Sequence, residues 1–212
     1  MPSSFFVPAE EIRREHTVVN SRFIATIAPA HNDADAREFI KRIREEFPDA
    51  SHNVPAYIIG GGNSVNEYCS DDGEPSGTAG RPALAVLRGS DLGDVALVIT
   101  RFFGGTKLGK GGLVRAYTES AQMVVNTVHR ARKLEVHIAM LVTSYPLLER
   151  IRLLVTQYDG TILSEDFAED VTMVLQFPVG KTDAFQGTIQ ELSGGKLKTE
   201  IIETTETLMP VQ

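Results

Sequence analysis

The chain has 212 residues, a formal net charge of −7, 42% hydrophobic and 23% charged residues, and one cysteine. This composition is that of an ordinary globular chain and excludes disordered and fibrous classes. No apolar run reaches the roughly 18 residues a membrane-spanning helix needs, and the lone Cys69 has no partner for an internal disulfide.

A reducing, cytoplasmic setting is therefore expected, and the opening MPSSFFVPAEEIRREH lacks the basic region and long apolar stretch of a secretory signal. The excess of acid argues against bulk electrostatic binding of nucleic acid but leaves a local basic patch open.

Glu11 to Asn20 and Ser21 to Ala28 read as two strands joined tightly. An amphipathic helix follows, capped by Asn32 or Asp33, with Ala36, Phe39, Ile40, Ile43 and Phe47 at helical spacing and Pro48 stopping it. Strands are expected at Val54 to Gly60 and Asn66 to Ser70, around a flexible GGGNS turn. The loop SDDGEPSGTAGRP spans Ser70 to Pro82, and Ala83 to Leu87 reads as a short helix that Ser76 or Thr78 would cap. Asp94 to Thr100 is an apolar, β-branched run and reads as a buried strand. A long helix carries Leu113, Tyr117, Ala121, Val124 and Val128 on one face and is expected to end near the basic stretch His129 to Lys133.

From Leu134 the pattern changes. A strand at Glu135 to Thr143 leads to a helix opened by Ser144 and Pro146 and ended by Gly160. A hairpin at Thr161 to Phe167 and Val171 to Val179, a helix at Thr182 to Ser193 stopped by Gly194 and Gly195, and a strand at Lys198 to Thr207 complete the series. The order βαββαβ in about 80 residues is the ferredoxin-like arrangement. Two α+β domains are expected, 1–133 and 134–212. The first has no net charge and the second carries all of the −7.

Two segments concentrate chemistry. RFFGGTKLGKGGLVRAY, from Arg101 to Tyr117, holds Arg101, Lys107, Lys110 and Arg115, five glycines and no acid. Glycine lets backbone N–H groups approach an anion, a helix N-terminus adds partial positive charge, and the side chains add full charge. Arg101, Gly104, Gly105, Lys107, Gly109, Lys110, Gly112 and Arg115 are the candidate anion or nucleic-acid site. The alternative is a tight loop with solvated cations. Gly104 to Lys110 fits most of a P-loop, but Gly111 stands where the Mg²⁺-holding Ser or Thr belongs. The other segment clusters Asp71, Asp72 and Glu74, with Ser76, Gly77, Thr78 and the more distant Tyr117 as supports. Such carboxylates need a metal, cations or solvent. An exposed acidic loop or salt bridges to Arg81, Arg101 or Arg115 outweigh Mg²⁺ binding. The five histidines show no metal spacing, and Phe102-Phe103 places one ring near the basic residues for stacking or packs both in the core.

SDDGEPSGTAGRP followed by VITRFFGGTKLGKGGLVRAY, with SRFIA at Ser21 to Ala25, closely resembles the signature of the IMPACT (YigZ, UPF0029) family. The C-terminal half is similar to that family's domain of unknown function 1949. The resemblance implies a ribosomal protein S5 domain 2-like first domain and a ferredoxin-like second domain similar to the last domain of elongation factor G. It implies nucleic-acid or ribosome binding for bacterial members and translation regulation for eukaryotic ones, which carry an extra N-terminal module that this chain is expected to lack. It assigns no catalytic residues. The expected function is thus a cytoplasmic binding or regulatory protein connected to translation. It would engage RNA, the ribosome or a translation-related protein, with no membrane role and no required cofactor. The alternatives are an enzyme acting on a phosphorylated or nucleotide substrate with Mg²⁺, and a protein-binding module using the acidic second domain.

Overall fold

A computed structural model describes residues 5–61 and 64–210, the last two and Ser64 by backbone only. The chain divides into two compact units, one holding residues up to Arg132 and the other Lys133–Leu208. Together they form a mixed α+β architecture.

The first unit is built on β6 (Val95–Phe102). Its run VALVITR is buried without interruption, because helices cover both faces of the sheet. The sheet order is β2 (Ile12–Val18), β3 (Ser21–Pro29), β6, β4 (His52–Gly61), β5 (Ser64–Cys69), with every neighbour antiparallel. Successive β6 side chains point to opposite faces. Ala96 and Val98 meet Phe39, Ile40 and Ile43 of α1 (Asp33–Glu46). Leu97 and Ile99 meet Leu84, Leu87, Tyr117 and Val124 of α2 (Gly80–Arg88) and α3 (Gly109–Val125). Arg101 is next in that second row, beside Phe23 of β3 and His52 of β4. The sheet thus carries a charged group at the end of an apolar row.

Asn32 caps α1, its side chain accepting from Asp35 N at 2.9 Å. Other boundaries depart from expectation. α3 ends at Val125, with no basic residue in its last turn. The Thr127 hydroxyl closes the helix end on the Met123 carbonyl, and the basic stretch enters β7 (Arg130–Thr143), where the Arg130 and Arg132 guanidiniums lie over the Phe6 ring. β1 (Val7–Pro8) pairs with residues 130–131. The GGGNS turn falls partly on residues 62–63, outside the described residues.

In the second unit the order is β8 (Thr161–Phe167), β9 (Val171–Pro178), β7, β10 (Glu200–Pro210), with α4 (Tyr145–Gln157) and α5 (Val179–Ser193). That is the ferredoxin-like strand order. Val171, Met173, Leu175 and Phe177 alternate inward onto Ile151, Phe185 and Ile189. Gly160 does not supply the left-handed cap. Asp159 does (φ 57), and a Cβ on Gly160 would lie 2.4 Å from the Phe177 ring. Gly194 caps α5 in the left-handed conformation, as expected.

Leu97 is wholly buried in the central strand. Leu97→Ala is expected to cost about 2–5 kcal/mol, read as a lower urea midpoint with unchanged m.

Candidate functional site

The two chemistry-bearing loops meet at the end of β6. The acidic loop is folded by its own carboxylates. Asp71 Oδ2 accepts from Gly77 N at 2.8 Å, and Oδ1 accepts from Ala79 N at 3.0 Å and Gly80 N at 2.9 Å. Burial alone would raise the Asp71 carboxyl, but these backbone bonds, with Arg81 nearby, hold it below its ordinary value. This bonding starts α2 at Gly80, three residues earlier than expected, and replaces the anticipated Ser76 or Thr78 cap. Ser76 is exposed, and the Thr78 hydroxyl instead donates to the Pro75 carbonyl.

Asp72 is tied in three ways. Its Oδ1 accepts from Arg44 at 2.7 Å, its Oδ2 from Asn53 N at 2.7 Å, and its carbonyl from His52 Nδ1 at 2.8 Å. Glu74 turns inward and is buried. Arg101 Nη1 donates to its Oε1 at 2.5 Å, the Tyr117 hydroxyl donates to the same atom at 2.8 Å, and His52 Nε2 stands 3.8 Å away. Burial, and then the charge of Glu74, push the Tyr117 hydroxyl far above its ordinary value, so it stays protonated and a donor.

The acidic loop is therefore not the solvated cluster that adjacent carboxylates suggest. Of the expected cations, Arg101 is the one that pairs with it. The Mg²⁺ reading does not fit this donor set: Asp71 is used by backbone N–H groups, Asp72 by Arg44 and Glu74 by Arg101. No three His, Cys, Asp or Glu converge among the described residues.

Arg101 is only 5% exposed. Its Nη2 reaches the Ser21 hydroxyl at 3.2 Å, its guanidinium lies over the Phe23 and Phe103 rings, and its Nε has no partner among the described residues. Its charge is met by Glu74, which moves Arg101 out of the expected anion-binding group. Ser21 also accepts from Gly104 N at 3.3 Å. A Cβ on Gly104 would sit 1.8 Å from the Asn20 carbonyl oxygen, so only glycine passes there.

Beyond this anchor the basic loop faces solvent. Lys107, Lys110 and Arg115 are exposed, and no ion pair joins them to a carboxylate among the described residues. Gly105 (φ 83) and Gly109 (φ 73) take left-handed conformations that carry the chain into α3. That helix begins with no side-chain cap and no acid in its first turn, leaving its first N–H groups without side-chain partners. Gly112 packs near Leu108, where an added Cβ would lie 3.1 Å from the Leu108 Cβ. Phe103 is 49% exposed, while Phe102 is half-buried in edge contact with Phe47.

Ser21, Asn53 and Arg44 are not expected in this cluster from the sequence. Ser21 opens the SRFIA segment, and His52 and Arg101 are cross-strand neighbours. The pairing of β4 with β6, which sequence does not show, is what joins them.

Residues 19–125, which hold every group in this cluster, match the Impact N-terminal domain family, and residues 141–196 match domain of unknown function 1949. The chain belongs to the IMPACT family. It is 34% identical to an IMPACT family member of Haemophilus influenzae, covering 96% of this chain and 100% of that one. It is likewise 34% identical to the Escherichia coli IMPACT family member YigZ, over 94% of this chain and 98% of that one. A solved hypothetical protein, 34% identical, superposes with a TM-score of 0.63 over 96% of this chain and 98% of its own. Among the described residues of this IMPACT family chain, no helix is long and apolar enough to cross a membrane.

Two outcomes test the cluster. Glu74→Ala strands a buried guanidinium and is expected to cost about 3–5 kcal/mol, while Glu74→Ala combined with Arg101→Met is expected to recover part of that loss, measured by urea unfolding. Because the folded Asp71 carboxyl lies below its unfolded value near 3.8, its contribution is complete above about pH 4 and fades as pH falls through the folded value. The stability gap between wild type and Asp71→Asn should therefore narrow on acidification below about pH 4.

Proposed function

We propose that this protein is a non-enzymatic binding and regulatory protein connected to translation, which engages RNA phosphates through the exposed start of α3. The observation that carries this reading is the set of three exposed cations, Lys107, Lys110 and Arg115, around a helix start with no carboxylate and no side-chain cap. Free N–H groups and a partial positive charge at a helix N-terminus suit an anion, and lysine and arginine supply the full charges that displace counterions from a phosphate backbone. Glu74 and Arg101 hold the loop's base in place and leave its tip to the ligand. The connection to translation rests on membership of the IMPACT family and on what the family resemblance implies. Cytoplasmic location belongs to the same reading.

The second unit carries the −7 and would repel a polyanion, so the contact is assigned to the first unit. A regulator that works by occupancy needs no reaction centre, which agrees with carboxylates committed to structural partners.

Filter binding of structured RNA across a salt series tests the proposal. Lys107→Ala/Lys110→Ala/Arg115→Ala is expected to weaken binding and to flatten the dependence of log K on log salt by about 0.7–0.9 per lost phosphate contact. Equal affinity and equal slope for wild type and this variant would overturn it.

A further inference from the structure

A second feature of the first unit lies on the α1 side of the sheet, where Arg44 alone is shared with the cluster described above. A cavity of about 720 Å³ opens between α1 and the β4–β5 edge, a size suited to a small organic ligand. Its walls combine three things. Tyr57 and Tyr68, directly opposite in the β4–β5 register, stack with ring centroids 5.2 Å apart and planes at 24°. Arg37, Lys41 and Arg44 recur along α1 at helical spacing, which sets them on one side of the helix. Ile40, Pro48 and Pro55 supply apolar surface.

The placement has a physical cause. α1 covers Tyr57, Ala96 and Val98, the middle of the sheet, while β5 is the edge strand. Tyr57 is buried and Tyr68 is left 45% exposed. The buried ring fixes the plane of the exposed one, so Tyr68 offers an aromatic face at low entropic cost. Arg44 is held by Asp72 at 2.7 Å. Arg37 and Lys41 have only exposed ion-pair partners, Asp33 and Glu45, each 3.7 Å away, Arg37 also reaching the Tyr57 side chain on the shelf, and exposed pairs of this kind exchange readily for a better anion.

We infer that this shelf binds a nucleotide unit, with the base stacked on Tyr68 and the phosphate met by Arg37 and Lys41. An oriented aromatic face beside flexible cations is the arrangement that takes a base and its phosphate together, tolerant of sequence because every base has a π face. A nucleotide can come from a strand or be free, and the shared chemistry is a planar base carrying a phosphate. The inference stands apart from the cationic start of α3, and its test separates the two.

The test uses the full chain and two probes. One is a fluorescently labelled ten-nucleotide single-stranded uridine RNA followed by polarisation; the other is free uridine monophosphate as competitor. Tyr68→Ala is expected to weaken RNA binding about 5- to 150-fold. Tyr68→Phe, which keeps the ring, should bind nearly as wild type does, and Arg37→Glu/Lys41→Glu should weaken binding with the ring intact. Circular dichroism checks that the variants fold. The same loss on Tyr68→Ala is expected in the Lys107→Ala/Lys110→Ala/Arg115→Ala background. Competition by the free nucleotide assigns the shelf to mononucleotides, and its absence assigns it to a strand; either supports the inference. Undiminished binding by Tyr68→Ala, or no binding of either probe by wild type at millimolar concentration, would overturn it. Loss confined to the α3 cations would overturn the shelf and leave the earlier proposal standing, and loss confined to Tyr68 would do the reverse.

Discussion

Everything around the end of β6 depends on one ion pair, Glu74 with Arg101. An arginine at the end of an apolar cross-strand row is costly unless its charge is answered. Glu74 answers it from a loop 27 residues away. Tyr117 donates to the same carboxylate oxygen from the third turn of α3, so loop, strand and helix are locked through one atom. A pair this deep adds little to net stability over an apolar substitute. What it specifies is geometry: the acidic loop has one place to close, and the glycine loop has one place from which to leave the sheet.

That geometry divides the charge of the first unit. Read as a list, the cations from Arg101 to Arg115 form a single basic segment and the carboxylates from Asp71 to Glu74 a single acidic one. In the fold the acidic segment is spent on holding shape. Asp71 builds the start of α2, Asp72 ties the loop to α1 and β4, and Glu74 neutralises Arg101. The basic segment loses one member inward and keeps three outward. A domain of zero net charge can therefore present a cationic tip, because the three carboxylates of its acidic loop are committed to structural partners.

Much of the architecture was legible in the sequence because periodicity reports burial. The α1 spacing, the unbroken β6 run and the alternation of β9 each followed from which faces are covered. β1 escaped because two residues carry no period. The start of α2 escaped because Asp71 bonds to amides six, eight and nine residues ahead, outside the local pattern of a helix cap. Gly160 reads as a cap for the usual reason, yet the demand on it comes from the Phe177 ring. At the site, residue types pointed to the right loops and to Arg101 as one of three candidate partners, but which of them pairs, and with which carboxylate, did not follow. Whether Arg101 meets a ligand or Glu74 is decided by strand register, and register between strands tens of residues apart leaves no local mark.

The place of β6 in the sheet also has a consequence for how the chain is made. It lies between β3 and β4 yet follows both in sequence. During synthesis from the N-terminus, β3 and β4 emerge with bare edges and no neighbour to share until Phe102 is out. Their apolar faces must wait for a strand added last, and non-local closure of this kind is slow and aggregation-exposed. The late strand carries Arg101 next to its last residue, so the step that seals the sheet is also the step that brings the buried charge to its partner.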